Sequence, residues 1–220
     1  MGSGLAKLRS FFTPKADLLG VVLFTLFALY VGTNAFSPIR FDRERIDVWA
    51  GDGQVRIHGL YHYRNRFSLP SSYSMGLPFP TDDLHGSPSD YSVSECSEDG
   101  TITKEISAHK YHGNVVFRLW FKPSQEKWIR IDYTQPILVS NARYILMTTQ
   151  KWHQPLEGGE YFLHLKQGNE LVTSNYAMQA SAEGGSQTYS FTKTNFLPEE
   201  DWIFSWKSPE PLMASKQGRK

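Results

Sequence analysis

The sequence predicts an all-β protein, an antiparallel β-sandwich of about ten strands preceded by one N-terminal transmembrane helix. Two observations carry this expectation. Residues 13 to 38 hold a long apolar run with helix-start chemistry, and beyond it apolar side chains recur at period two between turn-forming residues.

The first element is the helix. Thr13 is a good N-cap, and Pro14 sits at the first helical position, where its missing N–H costs nothing. From Leu18 to Gly32 no residue is charged. A helix from Pro14 to about Asn34 would be ~31 Å long at 1.5 Å per residue, close to the ~30 Å hydrocarbon core of a bilayer. The lipid-facing residues would be Leu18, Leu19, Val21, Val22, Leu23, Phe24, Leu26, Phe27, Leu29, Tyr30 and Val31. A signal peptide is the competing reading, because Lys7, Arg9 and Lys15 form a basic n-region and Thr33-Asn34-Ala35 resembles a cleavage site. The expectation adopted is a retained anchor over residues 14–36. Residues 1–13 would form a basic, amphipathic leader, since Leu5, Leu8 and Phe12 share a helical spacing. The basic N-terminal side places the N-terminus in the cytoplasm and the following domain in the periplasm of a bacterial inner membrane. The absence of any Asn-x-Ser/Thr sequon agrees with a bacterial rather than a eukaryotic secreted chain.

Residues 37–208 then read as one β domain, with 209–220 as a polar tail. "RERIDVWAGDGQVRIHGLYHY" is a hairpin turning at Gly51-Asp52-Gly53. On its second strand Val55, Ile57, Tyr61 and Tyr63 share one face, and Arg56, His58, His62 and Arg64 the other. "NVVFRLWF", "KWIRIDY", "GEYFLHLKQ" and "DWIFSWK" alternate in the same way. "DYSVSEC", "TITKEISA", "ARYILMTT", "ELVTSNYAM" and "QTYSFTK" complete the set. Turn signals fall at Glu98-Asp99-Gly100, Gly158-Gly159, Gly168-Asn169 and Gly184-Gly185. Residues 67–90, rich in serine and proline, break the pattern and are expected to be a long ordered loop packed on something.

The chemistry-bearing residues define no reaction. Net charge is +1, which leaves no nucleic-acid footprint. His58 and His62 would share a metal on a helix, but on a strand four residues span ~13 Å, too far for one ion. His109 and His112 flank a turn with no acid or cysteine at a suggestive spacing. Asp82, Asp83 and His85 form the best local set of oxygen and nitrogen ligands, although Asx turns explain them equally. No nucleophile elbow, phosphate-binding glycine loop or haem-attachment motif occurs, and no cofactor is expected. The single Cys96 precedes acids that would raise its pKa.

Aromatic residues make up 14% of the chain, enough to mark either a packed core or an interface. Trp49, Tyr73, Phe79, Trp152, Trp202 and Trp206 are the candidate interface residues. The functional expectation is a non-catalytic accessory subunit of a bacterial membrane complex (photosynthetic, respiratory or envelope machinery), with membrane lipid and other complex subunits as partners. The alternatives are an envelope module that binds glycan or peptide, and a metal-dependent hydrolase centred on residues 67–90.

Overall fold

The computed structural model describes residues 20, 22–25, 37–183 and 186–208. The chain divides into two compact units, 1–37 and 38–220. In the first, Gly20 and residues 22–25 are helical. No helix among the described residues is long and apolar enough to cross a membrane. Most of the expected anchor (Leu18, Leu19, Val21, Leu26, Phe27, Leu29, Tyr30 and Val31), the leader and the tail lie outside the described residues.

The second unit is mostly strand. Its first seven strands are β1 (Ile39–Gly51), β2 (Gln54–Asn65), β3 (Ser71–Pro78), β4 (Asp90–Cys96), β5 (Ile102–Glu105), β6 (Ala108–Tyr111) and β7 (Asn114–Phe121). Then come β8 (Glu126–Pro136), β9 (Asn141–Tyr144), β10 (Leu156–Leu165), β11 (Glu170–Ser174), β12 (Gln179–Glu183), β13 (Ser186–Phe196) and β14 (Trp202–Lys207). A short 3-10 helix, Met147–Trp152, separates β9 from β10.

Eight strands form one large sheet in the order β12-β13-β10-β1-β2-β8-β4-β5. The hairpin between β1 and β2 turns where the sequence places it: Asp52 and Gly53 have φ of 52° and 72°, the left-handed pair that matches strand twist. Along β1, Glu44, Ile46, Val48 and Ala50 point to the core, while Arg43, Arg45 and Trp49 point outward. Two three-stranded sheets, β11-β14-β9 and β3-β7-β6, contribute to the same hydrophobic cluster as the inner face of the large sheet. The architecture is therefore a loose sandwich, with one layer whole and the other split in two.

Several elements differ from the expectation, each for a local reason. There are 14 strands among the described residues rather than about ten, and β1 pairs with β10 in parallel. The start of β1 is hidden in the sequence by a bulge between Phe41 and Arg43, which buries Asp42 out of phase. Residues 67–90 are ordered and packed on the domain, but they are not all loop. They contain β3, paired along its whole length with β7, and Met75 and Phe79 are buried there. "TITKEISA" stops being a strand after Glu105, because the chain leaves the large sheet at the end of β5 and enters a small one at Ala108, the start of β6. "ARYILMTT" stops being a strand after Tyr144, where the Asp201 carboxylate accepts the N–H groups of Leu146 and Met147 at 3.0 Å each and starts the 3-10 helix. Gly184-Gly185 lies outside the described residues.

Gly158-Gly159 is no turn: both lie inside β10, opposite Arg43 and Glu44 of β1. The Tyr161 ring lies over Gly159, so a Cβ there would sit 2.6 Å from the tyrosine hydroxyl oxygen. A Cβ on Gly158 would meet nothing within 4 Å. Gly159→Ala should therefore cost about 1–3 kcal/mol of stability through overpacking, and Gly158→Ala close to nothing, when the two variants are unfolded in urea side by side. Equal midpoints for the two variants would show that the tyrosine ring is free to move away.

Candidate functional site

The outer face of the large sheet absorbs three of the seven histidines. His62 Nδ1 meets the Asp42 carboxylate at 2.5 Å, His58 Nδ1 meets Asp132 at 2.7 Å, and His164 Nε2 meets Asp47 at 2.8 Å. Arg64, Arg130 and Arg45 complete the three pairs. His58 and His62 thus serve different carboxylates, as their strand spacing requires. For Asp47, burial works to raise the pKa, but the contacts with His164 and Arg45 together hold it below the usual value. Trp49 stacks on His164 with ring centroids 4.8 Å apart, and the Arg56 guanidinium lies 4.6 Å from its ring. Trp49 is a half-buried part of this polar lattice.

The 67–90 ligand set does not converge on an ion. Asp82 Oδ1 accepts the backbone N–H groups of Leu84 and His85 at 2.9 Å and contacts His85 Nδ1 at 2.7 Å. His85 Nε2 lies 3.2 Å from the carbonyl of Asn141. The backbone N–H of Leu84 and then the His85 ring hold the Asp82 carboxyl below its ordinary pKa. This is an Asx turn closed on itself. Among the described residues no group of three His, Cys, Asp or Glu side chains is placed to hold a metal ion, and Asp83 joins no such group. Burial pushes the Cys96 thiol up to about 11, which leaves it protonated and unreactive at neutral pH.

Of the candidate interface residues, Phe79, Trp202 and Trp206 belong to the core. Phe79 packs edge-on against Tyr133 at 4.8 Å. Trp202 is fully buried and packs against Tyr161, Phe191 and Phe204. Trp206 follows Phe204 at a ring distance of 6.0 Å. Tyr73 and Trp152 behave differently: both are half-buried, and both line a cavity of about 290 Å³.

That cavity lies where the large sheet meets the two small ones. Its lining draws on β1 (Phe41, Glu44), β2 (Tyr61, Tyr63), β3 (Tyr73 to Pro78), β9 (Tyr144) and the 3-10 helix (Thr148, Thr149, Lys151, Trp152). Trp152 gathers three other rings around itself, Tyr73 at 5.2 Å, Tyr63 at 5.7 Å and Phe41 at 6.0 Å. Ser74, Gly76 and Lys151 in the lining are exposed, so the cavity reaches solvent.

Glu44 is the unusual member of this lining. It occupies the core phase of β1, with Tyr61 opposite on β2 and Gly159 opposite on β10. Because Gly159 has no side chain, Tyr161 folds across it and donates its hydroxyl to Glu44 Oε1 at 2.6 Å. Tyr61 folds over Gly59 in the same manner, and its hydroxyl meets that of Tyr144 at 2.8 Å. Burial raises the Glu44 pKa from 4.5 to about 7, against the lowering effect of the Tyr161 hydrogen bond. The hydroxyls of Tyr61, Tyr144 and Tyr161 are all pushed well above 10, first by burial and, in each case, also by Glu44. The result is one carboxyl, poised near neutrality, at the foot of an aromatic pocket.

Sequence reasoning did not single out Glu44. The signal was there: in "RERIDVWA" the carboxylate falls in register with Ile46, Val48 and Ala50, on the apolar phase of the strand.

No protein-family model matches the chain, and no curated protein matches it in sequence. A solved structure shares its fold. A candidate nutrient binding protein from Legionella pneumophila superposes with a TM-score of 0.62 at 16% identity, over 77% of this chain and 67% of that one. The M1 zinc metallopeptidase of Deinococcus radiodurans aligns with a TM-score of 0.46 at 9% identity. The alignment covers 77% of this chain but only 43% of the peptidase. At these identities the likeness to the Legionella protein is one of fold, and the peptidase likeness is too distant to bear on function.

Proposed function

We propose that the β domain is a non-catalytic recognition module that holds a small ligand, or one end of a larger one, in the pocket above Glu44. The observation that supports this is the pocket itself: four aromatic rings around a solvent-reaching cavity with a single buried carboxyl at its foot. Such a site has few, well-placed polar groups on a mainly apolar lining, the usual composition of a ligand site. Its lining contains no cysteine or histidine to act as nucleophile or base beside Glu44, and no second carboxyl. Carried on a chain with an anchor over residues 14–36, the module would face the periplasm of a bacterial inner membrane.

Ligand-observed NMR on the full chain in detergent micelles tests this reading with a small panel of cationic, neutral and anionic compounds. At least one compound is expected to bind the wild-type chain and to lose binding in Trp152→Ala. A panel in which nothing binds, or in which binding ignores Trp152, contradicts it.

A second reading, the accessory subunit of a membrane complex, is supported by one surface feature. Leu138 is 81% exposed and hydrogen-bonded through its backbone to the exposed Leu84, and Val139 is exposed beside it. Purification from native membranes in mild detergent is expected to yield a stoichiometric partner that is lost in Leu138→Glu. A lone monomer in the wild-type preparation would contradict this reading.

A further inference from the structure

We infer that the pocket above Glu44 selects a protonated amine: a small organic cation seated in the cavity beside the Trp152, Tyr63 and Tyr73 rings with its charge on the Glu44 carboxylate. This rests on the recognition reading proposed above and names the class of ligand.

The chemistry of the lining favours a cation over other occupants. The faces of tryptophan and tyrosine carry partial negative charge and attract ammonium groups within about 6 Å. Trp152 packs against Tyr73 and Tyr63 at 5.2 and 5.7 Å, and all three line the cavity, so a group held there lies beside several aromatic rings at once. Glu44 adds the only carboxyl of the lining, and its Oε1 is fixed in direction by the Tyr161 hydroxyl at 2.6 Å. An anion would meet ring faces and a carboxylate, both repulsive. A neutral ligand would leave Glu44 holding its proton and would gain nothing from the carboxylate charge. Lys151, the one basic residue of the lining, is exposed rather than buried against Glu44.

The other groups around Glu44 supply no positive charge of their own. They are tyrosines from four strands: Tyr161 of β10, Tyr61 and Tyr63 of β2, Tyr133 of β8 and Tyr144 of β9. Burial lifts the hydroxyls of all five well above their ordinary value, so they stay neutral. Tyr73 of β3 lies at the half-buried rim.

Binding a cation is therefore coupled to a proton. Empty, Glu44 is held near 7 by burial, first of all. A cation beside it favours the carboxylate, so the acid proton leaves to bulk solvent as the amine enters. Affinity should rise with pH up to about 7 and level off above it, while the amine itself stays protonated throughout.

Isothermal titration of the full chain in detergent micelles tests this with n-butylammonium, tetramethylammonium, n-butanol and butyrate. At pH 8, n-butylammonium is expected to bind at least about tenfold more tightly than n-butanol, which has nearly the same shape. Between pH 7 and pH 5 its affinity should fall by up to about tenfold per pH, the limit for one coupled proton. In buffers of different ionisation heat, close to one proton should be released per amine bound at pH 6, and few at pH 8.5. Glu44→Gln should bring the amine and the alcohol within about twofold of each other and abolish the pH dependence. Tyr161→Phe keeps the ring but removes the hydroxyl that lowers the Glu44 pKa, and should move the midpoint of the pH dependence above 7. A pH-independent affinity, or an amine that binds no better than the alcohol, overturns the inference. If the alcohol or butyrate binds in a Trp152-dependent way and the amines do not, the recognition reading stands and this inference falls. If none of the four binds, both fall.

Discussion

Replacing Trp202 by alanine is expected to lower the unfolding free energy by about 3–5 kcal/mol, the usual cost of truncating a fully buried tryptophan. The side chain has no exposed surface and touches the rings of Tyr161, Phe191 and Phe204, with centroids at 6.0, 5.2 and 4.9 Å. It therefore ties β14 to β10 and β13, joining a small sheet to the large one. The cavity left behind cannot collapse, because those rings are themselves fixed by neighbours. Trp120 provides the control. It lies on β7 with 65% of its surface exposed, and Trp120→Ala should change stability by no more than about 0.5 kcal/mol. Urea unfolding of the two variants, followed by circular dichroism, distinguishes them. Similar small effects for both would place Trp202 at a surface.

The second large effect is on the pH dependence of stability. Glu44 has a pKa near 7 in the folded chain and an ordinary value of 4.5 once unfolded. Between those two values the folded state keeps a proton that the unfolded state has lost. Stability from this group is therefore full below about pH 4.5, declines as pH rises, and is lost by about pH 7 and above. The whole decline is about 3 kcal/mol, a shift of this size multiplied by ~1.4 kcal/mol per pH. Glu44→Gln removes the titration but keeps an oxygen to accept the Tyr161 hydroxyl. Subtracting its stability from that of the wild type at pH 5 and again at pH 8 isolates the effect, because the other carboxylates cancel. The wild type should lose about 2–3 kcal/mol relative to the variant between those two pH values, most of the whole decline. A constant difference would mean that Glu44 is solvated and ordinary. An amine bound in the pocket should reduce the decline, since it stabilises the ionised carboxyl in the folded state.

The parts of this fold that were legible in the sequence are those where one rule acts alone. The β1–β2 hairpin shows both its turn and its two faces, because Asp52-Gly53 supplies the positive φ angles and Val55, Ile57, Tyr61 and Tyr63 keep strict alternation. The separation of His58 from His62 follows from strand rise alone. Where two rules compete, the sequence misleads. Gly158-Gly159 has turn composition, but here one glycine makes room for a tyrosine ring inside a strand. Ser71 to Pro78 has loop composition, yet its backbone pairs with β7, and Met75 and Phe79 bury enough surface to hold it. Trp202 and Trp206 alternate on one face of β14, and alternation cannot say whether that face meets the core or a partner. Two residues of the pocket, Tyr73 and Trp152, stand out in the sequence, though as candidate interface residues. Its acid does not, because Glu44 becomes notable only once strand phase is assigned from the neighbouring Ile46 and Val48.

The central claim is that Glu44 is a desolvated carboxyl at the foot of the aromatic pocket. The most direct measurement is the 13C chemical shift of its side-chain carboxyl carbon against pH, on the full chain, assigned by its disappearance in Glu44→Gln. A midpoint near 7 in the ligand-free protein is the expected result. A midpoint near 4.5, the ordinary value, would contradict the account, because a carboxyl that titrates there is in water and no such pocket surrounds it.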